Sequence, residues 1–136
     1  MQTTATVNGV PREYIPHVWD RVEPILSRAS LERTGETPAE MLRDLMEERS
    51  QLWVIGQFKA VCITQIVVRA TSKALWVYYV AGDDMEDWLS DLVALLRRFG
   101  KEKECGSIEF SGRRGWLKTL APHGFKEALV TMRAKL

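Results

Sequence analysis

Apolar residues recur along this chain with two different periods, and each change of period marks an element. From Glu13 to about Ser27 the spacing is helical, with Tyr14, Val18, Val22, Ile25 and Leu26 on one stripe. Pro16 suits the first turn of that helix, whereas Pro24 is expected to kink or split it. A polar loop, Glu32 to Glu36, precedes Thr37-Pro38-Ala39-Glu40, which has the form of a capping box with proline at the first helical position. The helix it starts is predicted to bury Met41, Leu42, Leu45 and Met46 and to run out near Arg49. The period then shortens. Leu52 to Ile55 and Ala60 to Val68 read as strands joined at 56–59, and a polar turn at 69–73 leads into Ala74-Leu75-Trp76-Val77-Tyr78-Tyr79-Val80-Ala81. That last run is apolar throughout, as in a strand covered on both faces.

Beyond Gly82 the period changes back. Trp88, Leu92, Leu95, Leu96 and Phe99 form one helical stripe in a predicted helix from about Asp84 to Lys103. Asp83, Asp84, Glu86 and Asp87 crowd its start and Arg97, Arg98, Lys101 and Lys103 its end, the polarity that the helix dipole favours. Asp83 or Asp84 is expected to cap it. Ser107-Ile108-Glu109-Phe110 follows as a buried strand, so strand, helix and strand make a right-handed crossover with parallel strands. A short helix around Trp116, Leu117 and Leu120 ends at Pro122 and Gly124, and Phe125 to Leu136 alternates like a final strand. At the other end, residues 1–12 read as a lead or a short edge strand with a turn at Asn8-Gly9. The expected fold is α/β: one domain over residues 1–136, with an antiparallel meander, a β-α-β crossover, flanking helices and five or six strands. Its core should hold Leu42, Leu45, Trp53, Ile55, Val61, Ile63, Ile66, Trp76, Val80, Leu92, Leu96, Phe99, Ile108, Phe110, Leu117 and Phe125.

Composition narrows the function classes. With 46% apolar residues, 27% charged residues and a net charge of +1, the chain has the balance of an ordinary globular domain. It holds no apolar run long enough to span a bilayer, and its first residues lack the pattern of a signal peptide, so a cytoplasmic protein without membrane partners is expected. Cys62 and Cys105 sit in or beside predicted strands and read as thiols rather than a disulfide. His17 and His123 are too few and too far apart for a dedicated metal site.

The ordered set of helix, helix, three-strand meander, crossover, strand, short helix and His123-Gly124-Phe125 resembles the GNAT-type N-acetyltransferases over nearly the whole chain. Within it, Gly112-Arg113-Arg114-Gly115-Trp116-Leu117-Lys118-Thr119-Leu120 is similar to the short GNAT-like proteins encoded by bacteriophages. The resemblance implies an acetyl-CoA arm lying between the two parallel strands, held by backbone groups of Tyr78, Tyr79, Val80 and Ala81. It implies a diphosphate at Gly82 to Trp88, an amine acceptor and no metal. Arg113 and Arg114 would then be cations that could take the adenosine 3′-phosphate of coenzyme A, or else meet an acidic partner.

Two positions depart from the family's pattern. The diphosphate loop should be basic and glycine-rich; here residues 82–88 carry one glycine, no base and four carboxylates. Each like-charge pair would cost about 1 kcal/mol at 4 Å even in water. A tyrosine that many members place four residues before Gly-Phe, to protonate the departing thiolate, is Leu120 here. No residue stands out as the catalytic acid or base. Two readings therefore remain: an acyl-CoA-dependent N-acetyltransferase, or a GNAT-fold protein that has lost catalysis and binds a protein partner or serves in assembly, of a phage for example, in the host cytoplasm or the virion. The C-terminal cations Arg113, Arg114, Lys118, Lys126, Arg133 and Lys135 read as a solvated basic face before a nucleic-acid patch, because 133 and 135 need not share a surface with 113 and 114.

Overall fold

The computed structural model describes residues 6–27 and 35–136; of the predicted loop at 32–36, residues 32–34 lie outside it. Five strands form one mixed sheet in chain order: β1 (Val7–Val10), β2 (Gln51–Ile55), β3 (Ala60–Val68), β4 (Lys73–Gly82) and β5 (Ser107–Phe110). β1 to β4 are antiparallel neighbours, and β5 pairs with β4 in parallel from Ala74–Ser107 to Val77–Phe110. The parallel pair is the one the crossover requires. Asn8 and Gly9 lie inside β1 and make no turn. Gly9 is opposite Trp53, where a Cβ would stand 3.1 Å from the indole, so the glycine lets that ring lie flat across the strand.

Among the described residues, three longer helices cover the two faces. A 3₁₀ turn at Arg12–Tyr14 leads into α1 (Ile15–Ser27), and Tyr14 is exposed rather than part of the apolar stripe. Pro24 stays within one continuous helix. The carbonyl it leaves without a donor belongs to Asp20, and both residues face solvent, where water can replace the lost bond. In α2 (Pro38–Met46) the capping box forms as expected, with the Thr37 hydroxyl accepting from the Glu40 N–H at 3.2 Å. Both helices lie on one face, where Val22, Leu26, Met41 and Leu45 meet Leu52, Val54, Val61 and Ile63 of the sheet.

The opposite face carries α3 (Met85–Glu102), whose Trp88, Leu89, Leu92, Val93 and Leu96 pack on Trp53, Ile55, Cys62, Leu75 and Val77. Burying each of these large side chains stabilises the fold by roughly 1.5–3 kcal/mol. Eight of the expected core residues are fully buried: Leu45, Trp53, Ile55, Val61, Ile63, Val80, Leu92 and Leu96. Leu42, Ile66, Trp76, Phe99, Ile108, Phe110 and Phe125 are half-buried around them. Leu117 is exposed, because α4 (Gly115–Leu120) is so short that only Trp116 and Leu120 turn inward.

Residues 125–136 form no strand. Phe125 is held, its ring edge-on to Phe110 and under the Arg97 guanidinium, and Arg97 also donates to the His123 carbonyl. Beyond it Leu129, Val130 and Met132 are exposed, so alternation alone did not find an edge to pair with. Both cysteines are free thiols. Burial drives the Cys62 thiol far above its usual range.

Candidate functional site

The site begins with a break in the register of the central hairpin. Ile63 faces Tyr79 and Thr64 faces Val77, so Tyr78 is an extra residue in β4 with no counterpart in β3. Strand side chains normally alternate between faces, but a bulge resets the alternation. Leu75, Val77 and Val80 point toward α3, while the consecutive Tyr78 and Tyr79 both point toward α1 and α2. Tyr79 uses its hydroxyl to donate to the Leu26 carbonyl at 2.9 Å, anchoring the end of α1. The bulge also lies where the parallel strands part. The last bond between them runs from the Ser111 N–H to the Val77 carbonyl at 3.2 Å, after which β4 continues to Gly82 and the chain after β5 turns away.

A cavity of about 460 Å³ opens at this fork. Glu36, Gln65, Trp76 and Tyr78 line it. So do Tyr79 and Val80 of β4, and Phe110, Ser111, Gly112, Arg113 and Trp116 from the end of β5 onward. Aromatic contacts stiffen both walls: the Trp76 and Tyr78 rings are 5.0 Å apart, and those of Phe110 and Trp116 are 4.8 Å apart. The Trp76 indole donates to the Ser111 hydroxyl at 2.7 Å, tying the loop after β5 to β4. A Cβ on Gly112 would sit 2.7 Å from the Trp116 ring, so glycine lets the indole pack there.

Two polar groups of the lining are out of their ordinary environment. The Tyr78 phenol is pushed well above its usual range, by burial first and then by the charges of Glu36 and Asp44. It stays protonated at any physiological pH. Its residue is only 7% exposed, and among the described residues nothing meets its hydroxyl in hydrogen-bonding geometry, although Ser50 and Gln65 stand close enough to oppose the shift. The Glu36 carboxyl is raised by burial, then by Asp44 and Glu40.

The acidic start of α3 is not built as expected. Asp84 is the flanking residue, but it adopts a left-handed conformation (φ 57°) and its side chain makes no capping bond; nor does Asp83 replace it. Asp84 and Asp87 instead turn to Lys59, in the β2–β3 turn, at 3.4 and 3.6 Å. The Asp83 N–H donates to the Lys59 carbonyl, and its own carbonyl accepts from the Trp88 indole at 2.7 Å. The carboxylates thus staple the helix start to a hairpin rather than close its N–H groups. Gly82 is a packing residue here. A Cβ at its φ of +146° would lie 2.3 Å from Ala60 Cβ and 2.5 Å from the Lys59 carbonyl oxygen.

Of the residues singled out from sequence, Tyr79, Val80 and Arg113 line the cavity together. Ala81 and Gly82 continue β4 past it, and Arg114 is exposed outside the lining. Glu36, Gln65, Trp76, Phe110, Ser111 and Trp116 were not anticipated as a group. Trp76 and Tyr78 share a face in an ordinary strand reading, and only the bulge brings Tyr79 onto that face as well.

No family model matches this chain, and no curated protein matches its sequence. Solved structures do match its fold. An aminoglycoside acetyltransferase from an uncultured soil metagenomic sample superposes with a TM-score of 0.73 at 10% identity, covering 98% of this chain and 99% of that one. Glucosamine-6-phosphate N-acetyltransferase from Arabidopsis thaliana gives a TM-score of 0.68 at 17% identity, over 98% and 99% of the two chains. A predicted acetyltransferase from Clostridium acetobutylicum, solved with acetyl-CoA, gives 0.69 at 9% identity, over 97% and 96%. The fold of this chain is therefore the GNAT-like acetyltransferase fold. At such identities the likeness extends to architecture and no further.

Proposed function

We propose that this protein is an acyl-CoA-dependent N-acyltransferase, transferring an acetyl group from acetyl-CoA to an amine. The observation that carries the reading is the cavity at the β4–β5 fork, produced by the Tyr78 bulge and walled on both sides. The thioester arm would enter between the parting strands, along Tyr79, Val80 and Ala81, with Arg113 at the loop that lines the same opening. The amine would come from the α2 side. The amine nitrogen attacks the thioester carbonyl, a C–N bond forms as the C–S bond breaks, and the thiol leaves with the proton the nitrogen gives up.

The fit to acetyl-CoA differs along its length. The cavity suits the thioester end. The diphosphate end meets Asp83, Asp84, Glu86 and Asp87, with Lys59 already engaged by two of them. Arg113 and Arg114 are the cations left to meet it, so acetyl-CoA should bind more weakly than a basic loop would allow. Calorimetric titration with acetyl-CoA tests the reading. Micromolar to submillimolar affinity, lowered by Arg113→Ala, is expected. No binding at millimolar ligand would overturn it in favour of a non-catalytic assembly or binding protein.

A further inference from the structure

The two outer strands of the sheet are not alike. β1 carries Gly9 mid-strand and is followed by Pro11, both poor at continuing a ladder. β5 pairs only with β4 among the described residues, so the backbone groups on its outer side have no strand to meet. Behind that edge Ile108 and Phe110 are half-buried, an unfinished row of the layer under α3. The same chain carries a strand-like segment with no edge. Residues 126–136 are exposed throughout, and none of them makes a backbone hydrogen bond to the described residues. Leu129 is 87% and Met132 89% exposed, and large apolar side chains grouped in water mark an interaction surface. Their own domain does not receive them. Phe125 is clamped beside Phe110, with its ring under Arg97 and its N–H on the Leu120 carbonyl. The chain then leaves without pairing along β5, although it starts at that strand's end.

An open edge needs a strand, and an exposed alternating segment needs an edge. We propose that residues 126–136 add as a sixth strand to β5 of a second copy of this chain, and that the exchange is mutual. One two-fold axis then satisfies both edges and both segments. Ala128, Val130 and Met132 share one face of the added strand and would continue the row of Ile108 and Phe110, while Glu127, Thr131 and Arg133 take the other. Eleven residues reach about 36 Å when extended, far enough to cross to a neighbour. The area is sufficient. An extended chain exposes about 1.45 Å² per dalton, so these residues, of roughly 1.3 kDa, expose about 1,800 Å². Covering a quarter of that on each segment, with a like area of each edge, buries about 1,800 Å² in all, within the range of about 1,200–2,000 Å² for stable interfaces. The contact is independent of what the fork binds.

The test uses the full chain. Sedimentation equilibrium from about 1 to 100 μM should show a dimer, with a Tm that rises with concentration. Val130→Pro with Met132→Asp removes a ladder donor and an apolar contact at positions exposed in the single copy. It should leave the Tm of the dilute monomer unchanged and raise the dimer dissociation constant at least about thirtyfold. An equal mixture of isotopically heavy and light protein, cross-linked through its amines, locates the contact. Links from Lys126 or Lys135 to Lys73, Lys101 or Lys103, around the start of β5, should join heavy to light copies. A chain that stays monomeric at the highest concentration overturns the proposal, as a segment kept for an unlike partner would require. So do links confined to one copy, which would place the segment on its own β5, and a dimer that the double substitution leaves intact.

Discussion

Replacing Tyr78 by phenylalanine should make the protein more stable. The ring would keep its contacts with Trp76 and its place in the α1–α2 layer, and only the hydroxyl oxygen would be lost. That oxygen is buried without a hydrogen-bond partner among the described residues. A buried polar group left unsatisfied costs about 1–3 kcal/mol, and removing it recovers that free energy; we take ~1 kcal/mol, because Ser50 and Gln65 are near enough to offset part of the penalty. For 136 residues the unfolding entropy is about 0.29 kcal/mol/K, which converts the gain to a rise of roughly 3–4 °C in Tm. Thermal unfolding followed by circular dichroism or calorimetry measures it directly. A fall in Tm would refute the reasoning, for it would mean that the hydroxyl is bonded in solution, through Ser50, Gln65 or a trapped water.

Two further outcomes follow from particular contacts. Gly82→Ala should destabilise by ~2 kcal/mol or more, a drop of about 7 °C, because the new methyl collides with Ala60 and the Lys59 carbonyl in a backbone conformation that favours glycine; a melt within a degree of wild type would show that β3 and β4 can separate there freely. Glu109 is held below the usual carboxylate range by its two-pronged bond with Arg69, at 2.8 Å on both arms. A depressed carboxyl contributes stability that is present above its unfolded-state pKa and lost as pH falls through the folded one. Glu109→Gln should therefore lower Tm slightly at neutral pH, and the difference from wild type should shrink on acidification; a gap that widens in acid would reverse the assignment.

Much of the architecture could be read from residue order, and the reasons are local. The Thr37–Glu40 box, the stripe from Trp88 to Leu96 and the parallel pairing of β4 with β5 each follow from spacing, capping chemistry or the handedness of a crossover. The site was less legible because it depends on one residue of register. Nothing in Val77-Tyr78-Tyr79-Val80 announces that two adjacent tyrosines share a face; the shift arises between strands, against Ile63 and Thr64. Glu36 was invisible for a similar reason, since a glutamate before a capping box reads as a loop residue until the fold lays it against Tyr78. The acidic run at 83–87 was read as a cap because carboxylates at helix starts usually are, but a cation across the sheet, Lys59, drew two of them away. The alternation after Phe125 failed as a strand because periodicity describes a face and does not supply a neighbour to bond with.

The tryptophans of the cavity give the protein a built-in optical reporter. Trp53 and Trp88 are buried in the layer under α3, so their emission should be blue-shifted and largely indifferent to what enters the fork. Trp76 and Trp116 both line the cavity, one hydrogen-bonded to Ser111 and the other beside Phe110. A ligand in the cavity would change the polarity and quenching around these two indoles. With Trp116→Phe the remaining cavity signal comes from Trp76, and with Trp76→Phe from Trp116. Entry of a ligand could thus be followed in one cuvette, without a label, from the colour and lifetime of the protein's own light.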